Sequence, residues 1–167
     1  TFDRGTNHLA FTDTMNYDDL YAVTDANLGE EYVPSHVPPA DARFVLIGPD
    51  DRAYWFGRTG ANASVVEVSE VGWPDRILDD DFFTINNNDG DVITAGCKVP
   101  GGLLFFKRNS TWLVRQYGSA PINISYYYGC TAPFSIQITP DGCIFLSQQG
   151  KVCVYNGSIT EIAENVK

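Results

Sequence analysis

The chain is poor in the residues that carry most enzyme and metal chemistry. It holds two histidines, His8 and His36, and one methionine, Met15. Both histidines fall in the same N-terminal stretch with no third ligand beside either. They read as loop histidines rather than as a metal or acid–base pair. The four cysteines, Cys97, Cys130, Cys143 and Cys153, form no C-x-x-C pair and no zinc spacing. No run of about 18 apolar residues occurs, so no membrane-spanning helix is expected. Nucleophile-elbow, phosphate-loop and dinucleotide motifs are missing too. Basic residues are scarce, 11 against 21 acidic ones, for a net charge of −10. Attraction to a nucleic-acid backbone needs clustered Lys and Arg, so a binding role of that kind is disfavoured. The acidic balance reads as solubility, and it is compatible with a surface that DNA slides past. No charged-then-apolar opening marks a signal peptide. The start at Thr1, with Met15 inside the chain, reads as a processed product or a segment of a longer one.

What is present favours strands. Nine Tyr, ten Phe and three Trp accompany many Val, Ile and Thr, punctuated by nine Pro and fifteen Gly. The organising feature is a hairpin written twice. Pro100-Gly101-Gly102-Leu103-Leu104-Phe105-Phe106 continues to Val114; Pro140-Asp141-Gly142-Cys143-Ile144-Phe145-Leu146 continues to Val154. The copies align without a gap at an offset of 40 residues. Each reads as a Pro-x-Gly turn, a strand, a polar turn and a second strand. Pro49, in Gly48-Pro49-Asp50-Asp51, is a third member of the series. A period near 40 with two to four strands per unit is the pattern of a β-propeller blade.

Along the chain, residues 1–41 read as an extended arm or linker, held open by Pro34, Pro38 and Pro39. Three units of four strands follow, at about 42–86, 91–129 and 133–163. In the first, Arg43–Ile47 and Arg52–Gly57 read as strands. Val66 and Val68 alternate with Glu67 and Ser69, as on a half-exposed strand. A turn is expected at Gly72–Asp75 and a last strand at Phe82–Ile85. The second unit takes Val92–Val99, the first hairpin copy and Ile122–Tyr128. The third takes Phe134–Ile138, the second copy and Ile159–Ile162. Leu103–Phe106 and Phe44–Ile47 are apolar at every position, so both are expected to be buried on both faces between neighbouring layers. The fold class is therefore all-β: four-stranded antiparallel blades forming a partial propeller of about three. Three blades do not close a ring, so the remainder is expected from a longer chain or from partner chains.

Several stretches together resemble the β-propeller region of tailed-bacteriophage tail proteins, namely the tail nozzle (tail tubular protein B) and the packaged-DNA stabilisation proteins. They are Pro38–Phe44, Trp73-Pro74-Asp75, Ile85 through Gly90–Ala95, Leu104–Val114, Gly129–Pro133 and Phe145–Val152. The resemblance covers about 38–163. It implies a structural virion protein of the tail or head–tail channel, assembled with other tail subunits in a homo-oligomeric ring, typically sixfold. DNA is retained and then passes through such a channel without specific binding. No catalytic, cofactor or metal residue is implied.

The residues themselves leave other readings open. Asp79–Asp81 and Asn86–Asp91 are the densest oxygen clusters, but aligning Gly90 with the invariant EF-hand glycine puts Ile85 at the first ligand position. Turn chemistry accounts for these residue types. Glu67, Asp89 and Asp141 are the carboxylates available for a glycan-cleaving pair. Tyr126-Tyr127-Tyr128 with Trp55, Trp73 and Trp112 offers material for a carbohydrate- or receptor-binding surface, although strand aromatics usually serve the core. The sequons at Asn62, Asn109, Asn123 and Asn156 are ordinary loop sequence. In the second hairpin, a turn at Gln148-Gln149 puts Cys153 near Ile144 or Phe145, which disfavours a Cys143–Cys153 disulfide; buried free thiols are expected.

Overall fold

The computed structural model describes residues 38–87 and 89–162, the side chain of Asp79 aside. His8, His36 and nearly all of the expected arm lie outside the described residues. What is described is all-β. The strands are β1 (Phe44–Ile47), β2 (Ala53–Phe56), β3 (Val65–Glu70), β4 (Trp73–Thr84), β5 (Ile93–Val99), β6 (Gly102–Lys107), β7 (Thr111–Val114), β8 (Ile122–Ser125), β9 (Gln137–Thr139), β10 (Gly142–Leu146), β11 (Val152–Tyr155) and β12 (Ile159–Glu161). Single 3₁₀ turns occur at Gly60–Asn62 and Pro133–Ser135. The strands make three four-stranded antiparallel sheets, β1–β4, β5–β8 and β9–β12, each a meander in chain order. Among the described residues no helix is long and apolar enough to cross a membrane.

Each sheet begins in the same way. Its first two strands are joined by a turn carrying Pro49, Pro100 or Pro140. Two residues after the proline the backbone takes positive φ, at Asp51 (56°), Gly102 (147°) and Gly142 (135°). At Gly102 a side chain would collide with the Val114 carbonyl, and at Gly142 with that of Tyr155. Only glycine meets both demands at those two positions. The two hairpin copies become the central pairs of the second and third sheets, β6–β7 and β10–β11.

The core lies in two layers, one on each face of the second sheet. Alternation along β6 divides its side chains between them. Leu103 and Phe105 join Tyr54, Phe56, Val66, Val68 and Ile85 of the first sheet's side. Leu104 and Phe106 join Cys143, Phe145, Cys153 and Tyr155 of the third. Phe105 meets Phe56 edge-on at 5.1 Å between centroids, and Phe106 lies 4.6 Å from Phe145. Burying each such ring contributes about 2–3 kcal/mol of transfer free energy. Every residue of β6 is buried, as the unbroken apolar run implies. The layers close tightly because β5 is small where sheets meet: a side chain on Gly96 would strike Phe56 and Leu46.

Four expectations need correction. First, Phe44–Ile47 is not covered on both faces: Val45 and Ile47 are 45% and 53% exposed, since no described element packs on that side of β1. Second, the turn expected at Gly72–Asp75 sits at Val71-Gly72, and Trp73-Pro74-Asp75 already belongs to the long β4. As an edge strand, β4 tolerates a proline; Arg76 stacks on the Trp73 ring at 4.2 Å. Third, the strand expected to reach Tyr128 ends at Ser125, whose hydroxyl accepts the N–H groups of Tyr127 and Tyr128 at 3.0 Å each. That local bond competes with the ladder and turns the chain. Fourth, Pro133-Phe134-Ser135 forms a 3₁₀ turn instead of opening a strand, leaving Phe134 93% exposed.

Candidate functional site

The main polar feature is a knot that ties the first sheet to the second. Lys107 ends β6 on the face that Leu103 and Phe105 share, so its side chain runs into the layer against the first sheet. It has no exposed surface. Its ammonium donates to Ser64 Oγ at 2.9 Å, to the Asn86 carbonyl at 2.9 Å and to both Asp89 oxygens at 2.8 and 2.9 Å. Its three N–H groups face four acceptor oxygens, two of them on one carboxylate, so no proton of the buried cation lacks a partner. Burial pushes the Asp89 carboxyl up. The Lys107 bond, the Asp91 N–H and the Asn86 amide outweigh it and hold the group below the ordinary aspartate value. Asp91 extends the knot. Its carboxylate accepts the N–H groups of Val92, Arg108 and Asn109, and so fixes the 86–91 loop against the turn after β6.

Described members of the oxygen clusters noted in the sequence have protein partners. Asp89 and Asp91 spend their oxygens on protein donors. Asp81 accepts the Tyr117 hydroxyl at 2.9 Å and lies 3.8 Å from Arg52. Among the described residues no three His, Cys, Asp or Glu side chains gather as a metal site. The three carboxylates considered for glycan cleavage have different surroundings. Asp89 serves Lys107, Glu67 is ion-paired with Arg58, and Asp141 sits in the Pro140 turn.

One cleft, of about 360 Å³, is lined by Arg43, Arg58, Arg108, Thr59, Thr94 and Thr131 among others. It concentrates three of the chain's eleven cationic residues in an acidic molecule. Arg58 is held at its wall by Asp41 at 2.8 Å and by Glu67, and Thr94 bonds the carbonyls of Phe106 and Cys130. The Arg58 pairs stay within the first sheet's segment, while Thr94 ties the second sheet to Cys130 on the connection to the third. A second cavity of about 290 Å³ lies between the equivalent turns, lined by Pro100, Pro140, Asp141, Gly142 and Tyr155.

The aromatic residues divide. Trp112 is buried, donates to Ser110 Oγ and meets Tyr126 edge-on. Trp55 bonds the Pro74 carbonyl. Tyr126, Tyr127 and Phe134 are exposed on the connection between the second and third sheets, and none of them lines the two cavities just described.

No family model, curated protein or solved structure matches the chain. Function therefore rests on the residues and their geometry.

Two features escaped the sequence reading. One is the buried Lys107, which was legible in principle: it continues the Leu103, Phe105 alternation on a strand apolar up to that point. The other is the approach of Cys97 to Cys143 across the second layer, their sulfurs 3.2 Å apart. Strands far apart in the chain meet there, and spacing alone carries no signal of it.

Proposed function

We propose that the three sheets are adjacent blades of a β-propeller and that the chain is a structural part of a bacteriophage tail, in its nozzle or head–tail channel. Its work there is assembly, with DNA held back before infection and passed afterwards. The observation that carries the reading is the condition of the two end sheets. The middle sheet is covered on both faces. The first leaves Val45 and Ile47 exposed on its outer face. The third leaves Val152 exposed and Ile144 and Leu146 half-buried on its own. Apolar outer faces at both ends of a stack call for further blades, as in a closed propeller. The common strand–Pro turn–strand start of each sheet supports a repeat, and the resemblance noted above supports the tail. The knot formed by Lys107 holds the first sheet to the second. An acidic surface facing a channel repels phosphate over about 8–10 Å, which discourages DNA from sticking.

Electron microscopy of assembled particles tests this. The expected result is density for the three sheets repeated around the tail channel, in contact with other tail subunits. A stable isolated monomer that binds a glycan overturns it.

A second reading, a carbohydrate- or receptor-binding module of a tail protein, is favoured by the exposed Tyr126, Tyr127 and Phe134. Glycan-array binding that is lost in Tyr127→Ala establishes it; binding that is absent, or indifferent to that change, removes it.

A further inference from the structure

The second core layer contains all four cysteines, each buried. Two of them are placed differently from the rest. Cys97 on β5 and Cys143 on β10 face each other across the seam between the second and third sheets, with sulfurs 3.2 Å apart. Cys130 instead bonds the Ala132 carbonyl, and Cys153 stands opposite Phe145 with its sulfur toward the Lys151 carbonyl. We propose that Cys97 and Cys143 are a cross-linking site, at which a small peroxide converts the two thiols into a disulfide that joins the second sheet to the third.

Three observations carry this. The first is distance: closing the gap to a bonded pair needs a movement of about 1 Å, within the reach of a side-chain rotation. The second is access. The 290 Å³ cavity between the Pro100 and Pro140 turns is walled by Val99, two residues from Cys97, by Gly142, next to Cys143, and by Tyr155, the cross-strand partner of Cys143. It admits a molecule the size of hydrogen peroxide to the edge of the seam. The third is proton placement. The bond to Cys143, with burial, raises the Cys97 thiol, while the same bond lowers that of Cys143. Of the two, the lowered Cys143 thiol is the better placed to react first.

The chemistry balances. The Cys143 sulfur attacks one peroxide oxygen, the O–O bond breaks, and hydroxide leaves to take up the Cys143 proton as water. Cys143 is then a sulfenic acid. The Cys97 sulfur attacks that sulfur, the S–O bond breaks, and the second hydroxide leaves as water with the Cys97 proton. Two thiols and one peroxide give one disulfide and two waters. The inference does not depend on the tail reading.

The test is peroxide treatment of the purified chain, followed by alkylation and non-reducing peptide mapping. The expected product is one intramolecular Cys97–Cys143 linkage, lighter by two hydrogen atoms, with Cys130 and Cys153 still alkylated. The melting temperature rises by several degrees and falls back with dithiothreitol. Cys97→Ser and Cys143→Ser each abolish the linkage and the rise; Cys130→Ser and Cys153→Ser keep both. A link between any other pair, a chain-to-chain dimer, sulfinic acid without a link, or four free thiols after treatment overturns the proposal. The map on the unaltered chain decides the matter even if a serine variant does not fold.

Discussion

The hairpins β6–β7 and β10–β11 align residue for residue, yet they live in different surroundings. Leu104 and Phe106 are fully buried, while their counterparts Ile144 and Leu146 are half-buried. Trp112 is buried and its counterpart Val152 is exposed. The difference is not one of hydrophobicity, because both copies are apolar on both faces. It is one of position. The first copy has a sheet on either side and the second has a described neighbour on one side only. An unbroken apolar run therefore reports the cover a strand was built for, and the described residues supply that cover only for the first copy.

The same contrast appears in charge. Position 107 is a lysine locked to Asp89 with no exposed surface, and its counterpart Ser147 is a small buried hydroxyl that accepts the Lys151 N–H at 3.2 Å. The third sheet has its own ion pair, Lys151–Glu161 at 2.7 Å, but that lysine is 47% exposed. Water screens the second pair more than the first, whose lysine is wholly buried.

Several substitutions break or sharpen this comparison. The largest effect belongs to the covered copy. Phe105→Ala removes a ring between two sheets and is expected to cost about 4 kcal/mol in denaturant unfolding. Asp89→Ala is close behind at about 3–5 kcal/mol, because it leaves the Lys107 ammonium buried without its counter-ion. Lys107→Met costs less, since the partly exposed Asp89 carboxylate regains water. If the two changes cost the same, the knot is not a buried pair.

A pH series checks the sign. Asp89 titrates below its ordinary value in the folded chain, so its share of stability is present above the unfolded aspartate pKa. That share is lost as the pH falls through the lower, folded one. The acid limb should be shallower in Lys107→Met, and a loss of stability on raising the pH from neutral is not expected from this group. Salt should leave the Lys107–Asp89 contribution in place while it weakens Lys151–Glu161.

Turn substitutions come next and should ignore the difference between the copies. Gly102→Ala and Gly142→Ala each force a side chain into a positive-φ site against a carbonyl, at about 2 kcal/mol or more. Unequal effects would show that the two turns are not equivalent. The smallest core effect is Ile144→Ala, about 1 kcal/mol in the isolated chain against about 3 for Leu104→Ala. If the third sheet gains a neighbour on assembly, the Ile144→Ala cost should rise toward that of Leu104→Ala, which unfolding of the assembled particle measures.

Much of this fold is legible in the sequence because the relevant signals are local. Pro-turns, unbroken apolar strands and the 40-residue offset mark the sheets, and the Gln148-Gln149 turn sets the register that pairs Phe145 with Cys153. Strand ends were less legible. Ser125 stops β8 with a side-chain bond that competes with the ladder, and Pro133 turns the chain before Phe134 extends. The polar site was read only as turn chemistry. Asn86–Asp91 has the composition of a solvated loop, and nothing local reveals that a lysine from a strand beyond it reaches back to Asp89. Sheet-to-sheet contacts, the Cys97–Cys143 approach among them, depend on long-range packing and leave no spacing to read.

The uncovered outer faces of the first and third sheets are what call for further blades. Hydrogen–deuterium exchange, followed on β1 and on β10–β11 in the isolated chain and in the assembled particle, tests this most directly. The expected result is that these strands exchange faster than β6 in the isolated chain and become as protected as β6 in the particle. Protection of β1 and β10 that is already equal to that of β6 in the isolated chain, or unchanged on assembly, contradicts it.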